Sequence, residues 1–190
     1  MRRLRYMFPA LLAVLLLAAA PASAQKKFVD SDDAKESDEP QKFLPDYDKL
    51  IKGKEADWAY YPEGGGFKAR FRTVEVKDFG TTNKRKEAEY AAQEGKAYFE
   101  EWLKKGGWEI AEKDASLVAE GNICNAWEPS GAARFWGGWY ANPGACVEVI
   151  LKDPTGKIAA EMRHKCRGST VPDAVENCLE EIVEDMQKTK

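Results

Sequence analysis

The sequence predicts an α+β domain in which two amphipathic helices pack on one face of a sheet of five or six mostly antiparallel strands. Two stretches, 84–105 and 173–186, repeat apolar side chains at the three- to four-residue spacing of a helix. The shorter stretches around them alternate apolar and polar residues, as strands do. The order of strand, long helix, several strands and helix then places both helices over one side of the sheet.

The first two strands are predicted by aromatic and β-branched residues. Residues 58–61 form one such run, and residues 67–79 form the next after the glycines at 64–66. Within the second run, Val74 and Val76 alternate with polar neighbours. This alternation predicts a strand with one buried face.

Both helices carry recognisable end signals. The first helix stops at the glycine pair 106–107, because glycine readily leaves the helical conformation. The last helix is preceded by Ser169 and Thr170, either of which can cap it, and Pro172 falls in its first turn. These signals predict the boundaries of both helices to within a few residues.

The remaining strands follow the first helix. Residues 108–112 and 116–127 predict two strands separated by turn residues. Residues 146–152 and 157–166 predict a hairpin, since Asp, Pro, Thr and Gly at 153–156 are typical of a tight turn.

Residues 1–24 have the composition of a cleavable secretory signal peptide. Arginines at positions 2, 3 and 5 precede an apolar stretch at 10–20, and the small residues 22–24 follow it. The stretch is shorter than the about 20 residues that span a membrane. No cysteine adjoins the cleavage site, so lipid attachment is not expected. The sequence therefore predicts a periplasmic or secreted protein without a stable membrane anchor.

The mature chain is predicted to be a single acidic domain. Residues 25–42 are too polar to bury a core and predict a disordered leader, and residues 43–188 then form one α/β domain. Loss of the signal peptide lowers the basic residues from 29 to 26 against 32 acidic ones, for a formal charge of −6. Because nucleic-acid affinity needs a basic surface, nucleic acid is not an expected partner. Oligomeric state stays open.

Four cysteines predict two disulfides in an exported protein. Their spacing permits three connectivities, and side-chain direction favours one of them. Cys166 ends the apolar face of its strand and Cys178 lies on the apolar stripe of the last helix, so both face the same layer. Cys124 and Cys146 have the opposite parity and face the other side of the sheet. We therefore expect the pairs Cys124–Cys146 and Cys166–Cys178, each worth about 2–4 kcal/mol.

No metal or cofactor site is expected from the sequence. Structural zinc sites show paired ligands two to four residues apart, whereas the cysteine gaps here are 22, 20 and 12 residues. The only histidine, His164, has Cys166 as its one close partner in sequence. A Cys-x-x-Cys redox motif is absent from the sequence.

Several stretches resemble a domain-of-unknown-function family of bacterial cell-envelope proteins, many of them lipoproteins. The resemblance implies an envelope location and a small α/β fold like that of outer-membrane assembly factors, and it supplies no active-site residue. The chain departs from the lipoprotein members by lacking a lipidated cysteine and by its predicted disulfides. Residues 43–50 (FLPDYDKL) are similar to the start of a neighbouring lipoprotein family. The stretches are the helix 84–105, 73–79 (TVEVKDF), 116–123 (SLVAEGNI), 131–139 (GAARFWGGW) and 147–161 (VEVILKDPTGKIAAE).

No catalytic motif is found, and we expect a non-enzymatic protein. His164 alternates with apolar residues in a strand, which is typical of a packed histidine. Ser130 lacks the Gly-x-Ser-x-Gly pattern of a nucleophile elbow. The alternative is a carboxylate-dependent hydrolase of cell-wall polymer or glycan, which would need two facing carboxylates in a cleft lined by Trp136 and Trp139. A small-ligand carrier, with a closed apolar pocket between helix and sheet, is a third alternative.

An aromatic cluster is the most distinctive local feature. Rings on a glycine-rich connection between two strands are typical of a platform for a glycan or a partner protein. In the other interpretation, Phe135 and Trp139 enter the core and the remaining rings cover the Cys124–Cys146 pair. The sequence thus indicates an accessory or binding protein of the envelope. The cluster consists of Trp127, Phe135, Trp136, Trp139 and Tyr140.

Overall fold

The segments with the clearest alternation in the sequence form three long antiparallel strands at the centre of one seven-stranded sheet. The computed structural model describes residues 43–64, 66–129 and 142–189, and the statements below concern these residues. The sheet order is β1-β7-β6-β5-β2-β4, and β3 pairs with β5. The strands are β1 (Trp58–Tyr60), β2 (Thr73–Val76), β3 (Gly80–Thr81), β4 (Glu109–Ile110), β5 (Leu117–Trp127), β6 (Gly144–Lys152) and β7 (Ile158–Arg167).

Two long helices and one short helix complete the described fold. The end signals act as predicted: Thr170 Oγ1 accepts a hydrogen bond from Asp173 N at 3.2 Å, and Gly107 leaves the first long helix with a φ of 82°. A 3-10 turn, Tyr47–Lys49, precedes the sheet. The helices are α1 (Phe67–Arg70), α2 (Lys86–Lys105) and α3 (Val171–Lys188).

The described part of the chain confirms the α+β class and corrects the strand and helix counts. Seven strands replace the predicted five or six, because the two-residue strand β3 has too few positions to show alternation. The short helix α1 replaces the start of a predicted strand. Its N-cap, Gly66, has a φ of 73°, and Phe67 is fully buried between the Tyr61 and Phe71 rings.

The sheet is mixed, although its long strands are antiparallel. Strands β1, β7, β6 and β5 pair antiparallel, whereas β2 pairs parallel with both β4 and β5. Helix α2 connects β3 to β4, and parallel pairing needs a crossover of this kind. The prediction of a mostly antiparallel sheet is confirmed for the long strands.

One hydrophobic core lies between the sheet and the helices α2 and α3. Alternate residues of β5 and β6 enter it, including Leu117, Ile123, Val147 and Leu151, which are all fully buried. Phe99 from α2 is fully buried in the same cluster. Both long helices therefore cover one face of the sheet, as the periodicity predicted.

A second, smaller core covers the opposite face of the sheet. Leu44, Tyr47 and Leu50 from the segment before β1 pack on Ile150 of β6. Trp58 and Tyr60 of β1 lie against the same cluster. The start of the predicted domain thus shields a sheet surface that the two long helices leave uncovered.

Candidate functional site

Trp127 is the one member of the aromatic cluster that lies in the described part of the chain. It is the last residue of β5, pairs with Gly144 at the start of β6, and is half-buried. Its indole lies so close to Gly144 that a side chain there would overlap the ring. The Arg167 guanidinium stands 5.7 Å from the ring centroid. Trp127 is therefore built into the end of the sheet.

The other four cluster residues, Phe135, Trp136, Trp139 and Tyr140, lie outside the described residues. The residues that flank this stretch, Trp127 and Gly144, are paired neighbours in the sheet. The chain leaves β5 after Trp127 and returns to the paired position Gly144, and Arg167 Nη1 donates to Asn142 O at 3.1 Å. The segment therefore begins and ends at the same end of the sheet.

A buried ion pair lies beneath the second core. Arg163 Nη1 stands 2.6 Å from Glu148 Oε1, and the exposed fractions of the two side chains are 3% and 0%. Asn122 Nδ2 donates to Glu148 Oε2 at 2.8 Å, and the Tyr47 hydroxyl donates to Glu148 Oε1. Arg163 Nη1 also lies 2.8 Å from the Tyr47 hydroxyl oxygen. These contacts join three strands to the 3-10 turn and satisfy the buried charges.

Glu161 is a second buried acid on the same face. Both of its carboxylate oxygens accept from Asp46 N, at 3.1 and 3.3 Å. Burial raises the pKa of Glu161 to about 7, against the opposing effect of the Asp46 amide. Nearby Asp46 and Asp48 raise it further, and Lys49 lowers it.

The pH dependence of stability should report this raised pKa. Between pH 4.5 and 7 the folded state keeps a proton on Glu161 that the unfolded chain releases. Stability from this group is therefore fully present below pH 4.5 and is lost as the pH rises to 7. We expect Glu161→Gln to flatten the fall in urea-derived unfolding free energy over this interval. A Glu75→Gln control, at an acid on β2, should leave the slope as in the wild type.

A third polar cluster lies between β7 and the last helix. His164 Nε2 is 2.6 Å from Glu181 Oε2, and Nδ1 is 3.1 Å from Asp57 Oδ2. Nδ1 is also 3.0 Å from Asp57 N, a contact that fits only the neutral ring. Burial opposes ionisation, but hydrogen bonds that the charged ring donates to Asp57 and Cys166 outweigh it and raise the pKa of His164 to about 10. With the ring protonated, Nδ1 and Nε2 donate to the Asp57 and Glu181 carboxylates, and Nδ1 cannot also accept from the Asp57 amide.

The structure holds each of the four cysteines as a thiol, so neither predicted disulfide is shown. Cys166 and Cys178 face the same layer and belong to the same buried core, as their sequence parity predicted. The hydrogen bond from Cys178 lowers the pKa of Cys166 to about 7, burial opposes it, and His164 adds to the lowering. Burial raises the pKa of Cys178. Cys124 lies 3.4 Å from Arg163 Nη1 on the other face.

A cleft of about 550 Å³ opens beside the end of α3. Asp185 lines it and accepts from Glu55 N, Ala56 N and the Tyr61 hydroxyl. Ile51 lines the cleft and is 62% exposed. This cleft is open and partly charged, unlike the closed apolar pocket that the carrier alternative requires.

The buried acids were not singled out as site residues in the sequence. A signal was present, because Glu148 and Glu161 each lie between two small or apolar residues of a strand. Each buried carboxylate accepts hydrogen bonds from protein groups. The tryptophans expected beside a catalytic pair of carboxylates, Trp136 and Trp139, lie outside the described residues, so the non-enzymatic expectation stays a prediction.

No known protein family model matches this chain, and no curated protein matches it. Among solved structures, the PelC dodecamer from Paraburkholderia phytofirmans is similar at 16% identity and a TM-score of 0.52. The match covers 70% of this chain and 96% of that chain. A second crystal form of PelC, from a point-substituted protein, matches at 14% identity and a TM-score of 0.50 over 68% and 94% of the two chains.

At these identities the likeness defines a shared α+β fold. A minor lipoprotein from Acinetobacter baumannii shows a weaker likeness, with 6% identity, a TM-score of 0.33 and coverage of 62% of this chain and 91% of that chain. The chain thus has the fold of PelC across nearly the whole PelC subunit. None of the helices in the described residues has the length and apolar character to cross a membrane.

Proposed function

We propose that this chain is an exported, non-enzymatic accessory protein of the bacterial envelope. It binds an envelope protein or glycan through its aromatic segment, the connection 128–143 between β5 and β6. One observation carries the proposal: β5 and β6 hold both ends of this segment together at Trp127 and Gly144. Four aromatic side chains and several glycines therefore belong to one connection at one end of the sheet.

Aromatic rings suit this role because they bury a large area with few rotatable bonds. Residues of this kind dominate the energetics of most protein interfaces. The acidic mature chain, with a formal charge of −6, favours recognition by stacking and hydrogen bonding over attraction to anionic polymers.

The fold also supports a role exercised through contacts with other molecules. PelC, which shares it, forms a dodecamer. By extension to this chain, an accessory subunit acting in a larger assembly fits better than an isolated catalyst. The predicted signal peptide and the absence of a lipidation cysteine favour a released form in the periplasm or medium.

Paired substitution of Trp136 and Trp139 by alanine tests the proposal. We expect affinity purification from the envelope fraction with the double variant to recover at least ten-fold less partner protein than with the wild type. We also expect at least ten-fold less of the double variant to co-sediment with peptidoglycan. Its unfolding free energy should change by no more than about 0.5 kcal/mol, as is usual for surface positions. Tyr90→Ala is the matched control, because Tyr90 is an aromatic residue on α2 that is 56% exposed.

Two outcomes of this experiment would count against the proposal. A marked loss of stability with unchanged partners would place these tryptophans in the core and contradict the binding role. Equal loss of partners in the Tyr90→Ala control would show that the effect is not specific to the aromatic segment.

A further inference from the structure

Three potential metal ligands converge at the cluster between β7 and α3. They are a nitrogen of His164, the sulfur of Cys166 and a carboxylate oxygen of Glu181, and these atoms all lie within 4.8 Å of one another. His164 and Cys166 are alternate residues of β7 and so face the same layer. Glu181 approaches from α3, which packs over that layer.

The orientation of the imidazole is that of a metal ligand. A ligating histidine characteristically gives its second ring N–H to a carboxylate, which fixes the tautomer and the ring plane. Here Asp57 Oδ2 lies 3.1 Å from Nδ1, and Nε2 faces Glu181. When Nδ1 carries the proton, it donates to the Asp57 carboxylate and no longer accepts from the Asp57 amide, which lies 3.0 Å away. Asp57 then occupies the supporting position, and Nε2 is the nitrogen available for coordination.

We propose that His164, Cys166 and Glu181 form a binding site for one divalent, thiophilic cation, with zinc as the best match, and that Asp57 orients the histidine. Zinc accepts nitrogen, sulfur and oxygen ligands in tetrahedral sites, and three protein ligands leave a fourth position for water. The harder cations magnesium and calcium prefer all-oxygen sites and do not match this set.

Without a cation, the protonated His164 ring and the Glu181 carboxylate form an ion pair. Zinc binding replaces the proton on His164 Nε2 and the proton of the Cys166 thiol, and both protons go to solvent. Glu181 Oε2 is 2.6 Å from Nε2, so its carboxylate must withdraw slightly to make room. The Glu181 side chain is 45% exposed and has the freedom to do so.

Metal binding and the predicted Cys166–Cys178 disulfide exclude each other. Coordination needs the Cys166 thiolate, whereas a disulfide would consume this sulfur. In the structure both residues are thiols, and Cys178 Sγ also lies 3.4 Å from His164 O. The redox state of Cys166 in the exported protein therefore decides between the two chemistries.

Zinc titration of the full chain recovered from the periplasm tests the site. After chelator treatment, isothermal titration with zinc chloride should give one zinc per chain with net proton release, measured in two buffers of different ionisation enthalpy. Glu181→Gln should weaken zinc binding at least ten-fold. Asp57→Asn should weaken it about ten-fold, which is the smaller of the losses in affinity that are typical when a residue supporting a metal ligand is replaced. Glu184→Gln, one turn away on α3 and paired with Lys188, is the matched control and should bind as the wild type.

Cobalt substitution provides an independent readout of the sulfur ligand. The cobalt-loaded protein should show a thiolate-to-cobalt absorption band that Cys166→Ser abolishes and Cys124→Ser preserves. Zinc affinity that is equal in the wild type and Glu181→Gln would overturn the proposal. So would a Cys166–Cys178 linked peptide as the main species in non-reducing peptide mapping of the exported protein. Because Glu181 is half-exposed, its substitution should leave folding, checked by circular dichroism, unchanged.

Discussion

Replacing Arg163 with methionine should destabilise the protein by about 3–5 kcal/mol, measured as the free energy of unfolding in urea. The substitution leaves Glu148 fully buried without its guanidinium partner, which stands 2.6 Å away in the native protein. Methionine fills much of the same volume, so the loss reports the uncompensated charge rather than a cavity. The effect is large because the Glu148 side chain is fully buried, so water cannot replace the lost guanidinium.

Two variants separate this effect from a general cost of substitution. Adding Glu148→Gln to Arg163→Met should recover part of the loss, because the amide keeps an acceptor without a buried charge. Arg70→Met removes an exposed ion pair with Glu63 and should cost no more than about 1 kcal/mol. If Arg163→Met costs no more than Arg70→Met, Glu148 is not a buried charge in the folded protein.

Gly121→Ala should destabilise the protein by about 1–3 kcal/mol through overpacking. The ring of Phe79 lies directly over Gly121 of β5 and also contacts Gly95 of α2, and a Cβ at Gly121 would overlap the ring. The ring is also 5.9 Å from the Phe99 centroid, so it has little room to move. Because Gly121 and Gly95 have no side chains, the Phe79 ring fits between helix α2 and strand β5.

A double-mutant cycle checks this interpretation. Because leucine is smaller than phenylalanine, Gly121→Ala should cost less in a Phe79→Leu background than in the wild type. Gly80→Ala is the matched control, since no atom lies within 4 Å of a Cβ built there, and it should change stability by about 0.5 kcal/mol or less. Equal effects at Gly121 and Gly80 would contradict the close packing of Phe79.

Much of the fold was predictable because its signals are local. Asp153 O accepts from Gly156 N at 2.9 Å in the turn between β6 and β7, as the Asp-Pro-Thr-Gly composition indicated. Thr170 caps the last helix, as proposed from its neighbours. The parallel pairing of β2 with β5 was not predicted, because its partners lie on either side of a 20-residue helix.

The candidate sites were predictable only in part. Alternation along β7 placed His164 and Cys166 on the same face, and the stripe of α3 brought Cys178 to them. Glu181 and Asp57 gave no such signal, because Glu181 lies among other acids of the helix and Asp57 precedes a short strand. The aromatic residues of the segment are evident from the sequence alone. The molecule that the segment binds stays a prediction.

The sequence by itself determined the two long helices and their end signals, the hairpin turn, and which residues share a face of each long strand. These properties depend on neighbours a few positions apart. Only the tertiary structure decided which polar groups meet. Tyr47 bonds to Glu148 across 101 positions, and Asp57 contacts His164 across 107. Such contacts depend on strand order and on how the segment before β1 folds over the sheet, and local periodicity carries no record of either.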